Sequence, residues 1–254
     1  MNDINEEEEI KIKNRIHLIN NSKDEIKEAN TLPEVYNILD KLIDCVSFFY
    51  PQITCKDKCF LCCQHSNVPV LTSLEWEYVY NHLLKLSKEE QKILIEENKK
   101  LFSKHGLDLK RLHFTLNLAD NDFKLKVLAV LLPKFVGGSC IFLKKGSCSI
   151  YDVRPLKCRT QGYTLVKFGS YTQFQTCVPE SYRLEKLLKE QDSRKVLIPL
   201  SNDFEERIQE LISGDSIAYS ILPVWLYAHT VNDELVSEAN ILPDFEEILS
   251  AFHA

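Results

Sequence analysis

Glycine-rich phosphate-binding loops are missing from this sequence, which contains seven glycines in 254 residues. The patterns G-x-x-x-x-G-K-[ST], G-x-G-x-x-G and G-x-S-x-G do not occur. The chain therefore gives no support to three common enzyme classes: P-loop nucleotidases, dinucleotide-binding enzymes and α/β-type serine hydrolases. No catalytic residue is predicted.

The sequence also lacks long apolar runs, and its first residues do not resemble a leader peptide. Four glutamates follow Met-Asn-Asp-Ile-Asn at the start, and this charge and hydropathy are wrong for a signal or transit peptide. No apolar run approaches the roughly 18 residues needed to span a bilayer. We therefore expect a cytoplasmic protein with no membrane partner.

Cysteine, in contrast, is abundant, with nine in the chain. In a reducing compartment thiols do not form disulfides, and a chain of this length can build a core without them. Metal ligation is therefore the expected use of the cysteines. Cys45 lies near the apolar stripe of a predicted helix and is expected to be a core residue. The other eight are the predicted metal ligands: Cys55, Cys59, Cys62, Cys63, Cys140, Cys148, Cys158 and Cys177.

The spacing of these cysteines leaves the number of metal sites open. Cys59-x2-Cys62 has the loop spacing that brings two sulfurs to one tetrahedral metal. Neighbouring side chains usually diverge, so Cys62 and Cys63 are expected to serve two metals, or one of them lies outside the coordination shell. Eight thiolates suit two four-sulfur sites, one four-sulfur cluster with a further zinc, or one site with reserve cysteines. Soft sulfur favours zinc or an iron–sulfur cluster, with 4Fe-4S as the expected cluster type.

Basic residues concentrate where the cysteines are. Residues 54–182 carry 19 basic and 12 acidic side chains, whereas the segments on both sides are acidic and the whole chain has a net charge of −6. Because the lysines are scattered, we attribute this excess to stabilisation of thiolates, and a nucleic-acid partner is not expected. We predict three parts: a helical extension (1–53), a cysteine-cluster domain (54–182) and a C-terminal helical region (183–254).

The predicted fold is mainly α, with a small β-hairpin and irregular loops around the metal. The hairpin joins 140–143 to 147–151 through Lys144-Lys145-Gly146. Capping-box patterns begin at Thr31, Thr72 and Ser87, and His105-Gly106 predicts the end of the third of these helices. The predicted helices cover residues 6–30, 31–50, 73–86, 87–106, 181–195, 203–213, 216–230 and 234–252. Residues 107–118 are ambiguous, and 121–136 carry a Leu/Val pattern that Pro133 interrupts.

Four further residues lie near the cysteines in the sequence or beside the predicted site. Arg154 and Arg159 flank Cys158 and are expected to donate to backbone carbonyls or to balance thiolates. Glu75 is explained by its position in a capping box. His65, two residues beyond Cys63, is a weaker candidate ligand that could replace a cysteine.

The motif Cys55-x3-Cys59-x2-Cys62-Cys63, followed by Gly146-x-Cys148-x-Ile-Tyr-x-x-Arg-Pro-x-x-Cys158-Arg159, resembles the YkgJ-type family of cysteine-cluster proteins over roughly residues 52–180. This resemblance implies zinc or iron chelation. Some relatives resemble flagellin lysine methylases, which carry a similar cysteine set. Cys55-x3-Cys59-x2-Cys62 also has the radical S-adenosylmethionine spacing, but the chain lacks the alternating strands and helices of that barrel.

Three functions are therefore considered. The first is a metal-binding protein that holds zinc or an iron–sulfur cluster through its cysteines. The second is an iron–sulfur enzyme such as a protein lysine methyltransferase, suggested by the resemblance. The third is a nucleic-acid-binding zinc module.

Overall fold

A computed structural model describes residues 6–55, 59–65, 68–190, 197–212 and 217–252, and these residues form a mainly α fold, as predicted. The α-helices are α1 Glu6–Glu28, α2 Leu32–Phe49, α3 Leu61–His65, α4 Ser73–Leu83, α5 Lys88–Leu116, α6 Asn121–Leu131, α7 Leu156–Arg159, α8 Val178–Glu190, α9 Ser201–Leu211, α10 Leu222–Ala228 and α11 Phe245–Ile248. In this part of the chain, no helix is both long and apolar enough to cross a membrane.

The strands are short and pair antiparallel as four two-stranded sheets among the described residues. They are β1 Val70–Thr72, β2 Leu143–Lys144, β3 Ser147–Cys148, β4 Leu165–Phe168, β5 Tyr171–Phe174, β6 Tyr219–Ile221, β7 Thr230–Val231 and β8 Glu234–Leu235. The pairs are β1 with β6, β2 with β3, β4 with β5, and β7 with β8.

The chain divides into two compact units, each assembled from two separate stretches. The first unit combines Met1–Cys59 with Thr160–Ser213, and the second combines Phe60–Arg159 with Gly214–Ala254. The division into 1–53, 54–182 and 183–254 stays a prediction.

The first unit packs α2 against residues from the far end of its sequence. Val46, Tyr50 and Ile53 form a buried cluster with Phe174, Leu184 and Ile198. The Tyr50 hydroxyl also accepts a hydrogen bond of 3.1 Å from the Leu197 backbone N–H. Burial of this cluster holds α2 beside the β4–β5 hairpin, which the sequence analysis did not predict.

The second unit has an aromatic core around a buried histidine. Trp76 of α4 stacks on Trp225 of α10 with ring centroids 5.8 Å apart. His229 Nε2 accepts from Trp76 Nε1 at 3.2 Å and from the Asn240 backbone N–H at 2.9 Å. His229 Nδ1 lies 2.8 Å from the Trp225 carbonyl oxygen and therefore donates to it. The neutral imidazole is thus fully hydrogen-bonded, which makes its burial tolerable.

Local signals predicted the helix starts and the first hairpin correctly. The Thr72 and Ser87 side chains each accept from the N–H three residues ahead in a complete capping box. The Thr31 side chain also caps its helix, by accepting from Glu34 N. In the β2–β3 hairpin, Lys145 and Gly146 both have positive φ, as a two-residue type I′ turn requires.

The predicted helix end at His105-Gly106 is wrong. Helix α5 continues through Gly106 to Leu116 without interruption. A Cβ on Gly106 would lie 2.3 Å from Phe252 Cδ1, so this glycine makes room for a packed aromatic ring and does not end the helix. Close packing across a helix is a tertiary reason for glycine that a capping rule does not include.

The predicted C-terminal helices are also wrong in part. The segment 216–230 contains β6 before α10, and 234–252 contains β8, irregular backbone and only the short α11. Asn232 and Asp233 have positive φ and turn the chain into the β7–β8 hairpin. Tyr80 then donates to the Val236 carbonyl at 2.6 Å. In the predicted helix 181–195, residues 191–195 lie outside the described residues.

We expect Gly106→Ala to destabilise the protein, although alanine in a helix normally gains about 1 kcal/mol over glycine. The added methyl group would collide with the Phe252 ring, so the midpoint of urea unfolding should fall. In a Phe252→Ala background, which has no ring at this position, adding Gly106→Ala should raise the midpoint of urea unfolding above that of Phe252→Ala alone. A higher midpoint in the single variant would contradict this packing argument.

Because of its buried histidines, the protein should become less stable as the pH decreases. Burial lowers the pKa of His113 to about 4 and lowers that of His229. Both groups then bind protons more readily in the unfolded chain, so the stability that comes from burying them as neutral groups is complete above about pH 6.5 and declines below it. For His113 this contribution is lost as the pH falls towards 4. Urea unfolding between pH 7 and 4.5 should show a shallower decline for His113→Asn than for the wild type. Parallel curves would contradict this assignment.

Candidate metal centre

Helix α3 presents Cys62 and Cys63 together. Their sulfurs lie 3.9 Å apart, so the expectation that these neighbouring side chains diverge is wrong. Two thiolates at about 2.3 Å from one tetrahedral zinc are separated by about 3.8 Å. The spacing of the two sulfurs is therefore close to that of two ligands of one ion.

A backbone hydrogen bond joins the two cysteine groups of the sequence. The Cys140 N–H donates to the Cys63 carbonyl at 2.7 Å. The β2–β3 register then places Cys148 opposite Leu143. Cys140 and Cys148 therefore stand on the two arms of the predicted hairpin, beside α3.

Cys158 enters the same unit on the single-turn helix α7. The Cys158 N–H donates to the Pro155 carbonyl at 2.9 Å, and the Leu156 N–H donates to Glu75 Oε1 at 2.7 Å. Glu75 Oε2 meanwhile accepts from the Thr72 N–H at 2.9 Å. Glu75 is thus a capping residue, as predicted, and also holds the helix that carries Cys158, a long-range role that the local pattern does not reveal.

The two arginines beside Cys158 have different surroundings. Arg159 is buried and donates through Nε to the Arg154 carbonyl at 3.0 Å and through a second nitrogen to the Asp152 carbonyl, which confirms the predicted structural use. The Arg154 guanidinium carbon lies 3.9 Å from the Tyr151 ring centroid. Arg154 is thereby held near the thiols as a positive charge.

The five thiols of the second unit influence one another's ionisation. The hydrogen bond from Cys63 lowers the pKa of Cys62 to about 7, and the same interaction raises the pKa of Cys63. Burial raises the pKa of Cys140 to about 12, raises that of Cys148, and raises that of Cys158 well above the ordinary value. Without a metal, most of these thiols are therefore protonated at neutral pH.

Local positive groups oppose this effect and would stabilise thiolates. Backbone N–H groups two residues ahead, at Phe142 and Ile150, donate toward the sulfurs of Cys140 and Cys148 and lower their pKa values. Arg154 lowers the pKa values of Cys62, Cys148 and Cys158. Such N–H···S hydrogen bonds and nearby cations are typical surroundings of sulfur ligands to metals.

Cys55, Cys59 and Cys177 belong to the first unit. Burial raises the pKa of Cys55 to about 12, and its sulfur lies 3.9 Å from Thr176 Oγ1. Cys59 is exposed, and Cys177 immediately precedes α8. The structure therefore places five of the eight predicted ligands in one unit and three in the other.

Two residues beside Cys55 were missed by the sequence analysis. Gly162 has φ +83°, and a Cβ there would lie 2.4 Å from Cys55 Sγ, so only glycine leaves room for this thiol. Glu180 accepts from the Thr54 N–H at 3.0 Å and from its hydroxyl at 2.9 Å. The single Gly162 and the distant carboxylate Glu180 carry no spacing signal toward Cys55.

Two other predictions concern residues outside these sets. Cys45 is 4% exposed within the first unit, as predicted for a core residue. The His65 side chain lies outside what the structure describes, so its role as a ligand stays a prediction.

The sulfur donors have the chemistry that a thiophilic metal requires, but they are not arranged as a preformed site. Among the described residues, no group of three or more His, Cys, Asp and Glu side chains is placed so that it could hold a metal ion. The second unit nevertheless gathers five sulfurs with N–H donors and a cation, and sulfur ligands suit zinc and iron. Cys62, Cys63, Cys140, Cys148 and Cys158 are the residues that would hold such a metal.

The fold and these thiols define a helical cysteine-cluster protein. Residues 54–178 match the CxxCxxCC family model, described as a "putative zinc- or iron-chelating domain". This match confirms the resemblance of the segment to the YkgJ-type cysteine-cluster proteins. No curated protein and no solved structure matches the chain significantly.

The double role of Glu75 can be tested against Glu90, which occupies the same capping-box position in α5 but is exposed. Glu90→Ala should lower the midpoint of urea unfolding only slightly, because this carboxylate is fully exposed and the Ser87 cap remains. Glu75→Ala also removes the buried hydrogen bond to the Leu156 N–H and should cost about 2 kcal/mol more than Glu90→Ala. Urea unfolding measures both. Equal losses would show that the bond to α7 adds nothing.

Proposed function

We propose that this protein binds zinc or an iron–sulfur cluster through a principal site in the second unit. The observation that carries the proposal is that four separate chain segments each bring a thiol to the same unit. The proposed ligands of this site come from Cys62, Cys63, Cys140, Cys148 and Cys158. Cys55, Cys59 and Cys177 belong to the first unit, and they stay proposed metal ligands there.

The local structure supports this proposal because the segments that carry the thiols have little stability of their own. Helices α3 and α7 are five and four residues long, and β2 and β3 have two residues each. Elements this short do not persist in isolation. A metal that links them would contribute its binding free energy to folding.

The donor count supports a four-sulfur site. Four thiolates complete either a tetrahedral zinc site or the cysteine ligation of a four-iron cluster, and five are available in the second unit. Zinc would supply a structural cross-link, and an iron–sulfur cluster would supply one-electron redox chemistry. The 4Fe-4S cluster expected from the sequence is kept as the iron form of this proposal.

The first experiment is anaerobic purification of the full chain with elemental analysis, sulfide assay and a visible spectrum on one sample. Zinc without colour supports the structural form. Iron with matching sulfide and a broad absorption band near roughly 400 nm supports the cluster form. Absence of zinc, iron and sulfide from a folded preparation that also fails to take up added metal would overturn the proposal.

Replacement of one proposed ligand should separate the site from ordinary core effects. Cys148→Ala should lower bound metal per chain by about half or more and lower the thermal midpoint. Cys45→Ala is the matched control, because it removes a buried sulfur from the core of the first unit and should leave metal content unchanged. Unchanged metal in Cys148→Ala would remove this residue from the ligand set.

A further inference from the structure

An open groove of about 750 Å³ runs between α5 and α6 in the second unit. Apolar side chains from both helices form most of its lining, and a volume of this size is typical of small-molecule sites. The lining includes Leu107, Phe114, Leu118, Phe123, Val127 and Val130.

Two of these side chains are left in water to an unusual extent. Phe123 is 54% exposed and Val130 is 67% exposed, and both line the groove from α6. Exposed apolar surface costs about 25 cal/mol per Å² relative to burial. A ligand that covers this part of α6 would therefore gain hydrophobic stabilisation.

The charged side chains of the groove all have the same sign. Lys110, Arg111, Lys126 and Lys134 line it, and none of its lining residues is acidic. Lys134 is paired with Asp108 at 2.6 Å, whereas the other three form no ion pair with a described residue. The groove thus combines an apolar floor with a cationic edge.

Uncharged polar groups contribute little to this lining. Thr115 is the uncharged polar residue of the groove, and its hydroxyl already donates to the Arg111 carbonyl at 2.7 Å. A sugar or a nucleobase would need several placed donors and acceptors, which this lining does not offer. The complementary ligand is apolar over most of its length and carries one anionic group.

We propose that this groove binds a single-chain anionic amphiphile of the fatty-carboxylate class. The acyl chain would cover Phe123 and Val130, and the carboxylate would lie at the edge formed by Lys110, Arg111 and Lys126. None of the proposed metal ligands lines the groove, so this proposal does not depend on the proposed function.

The test is titration calorimetry of the full chain with dodecanoate below its micelle concentration, compared with dodecanol and dodecylammonium. Dodecanoate should bind about tenfold more tightly than the alcohol, as expected for one added charge interaction in a partly buried site. The ammonium should bind more weakly still. Equal affinity for all three probes, or no binding of dodecanoate, would overturn the proposal.

Matched variants locate the binding on the molecule. Lys126→Glu should weaken dodecanoate binding by at least about fivefold, whereas Lys124→Glu, on the same helix but outside the groove, should not. Likewise Phe123→Ala should weaken binding and Leu125→Ala, which removes an exposed side chain that does not line the groove, should not. Equal effects within each pair would overturn the proposal.

A membrane surface is the alternative source of the same chemistry. Sedimentation with vesicles that contain 30% anionic phospholipid distinguishes the two, since a groove for single chains should give little vesicle binding. Vesicle binding without binding of monomeric dodecanoate would overturn the proposal in favour of adsorption to a lipid surface. The far-UV circular dichroism spectrum and the midpoint of urea unfolding should be close to those of the wild type in all four variants, which confirms that they fold.

Discussion

The carboxylate of Glu75 connects the stable part of the second unit to its least stable part. On one side it completes the capping box of α4, a helix anchored by Trp76 and Tyr80 in the core. On the other side it accepts the Leu156 N–H at the start of α7. A helix of four residues cannot offset the cost of its own nucleation, so this bond and the surrounding packing must hold α7. The position of Cys158 therefore depends on a residue 83 positions earlier.

The thiols place an electrostatic constraint on the same region. Several half-buried sulfurs that share one unit cannot all ionise, because burial and mutual repulsion both oppose additional negative charge. As free thiols they are neutral and tolerated. With a divalent metal bound, the negative charge of the thiolates would be balanced by the ion, by Arg154 and by the N–H donors of the hairpin. Metal binding would thus add its binding free energy to the stability of this unit.

Local chemistry explains which parts of the fold the sequence predicted. Caps at Thr72 and Ser87 and the Lys145-Gly146 turn depend on residues within four positions of one another, so their patterns were sufficient. Gly106 was misinterpreted because the reason for this glycine is the ring of Phe252, far along the chain. The helix predicted over 234–252 failed for a similar reason. In its first part the Val236 carbonyl accepts from Tyr80 and the Asn240 N–H donates to His229, so these backbone groups are bonded to residues outside the segment.

The sequence by itself determined the chemistry of the candidate site: eight thiols in two groups, a hairpin between Cys140 and Cys148, and an arginine next to the last turn. These features depend on residue type and short spacing, which fold topology does not change. Only the tertiary structure decided that Cys62 and Cys63 point the same way, that Cys140 is bonded to Cys63, and that five thiols belong to one unit and three to the other. Such arrangements depend on hydrogen bonds and packing between distant segments, and their energies do not appear in local sequence patterns.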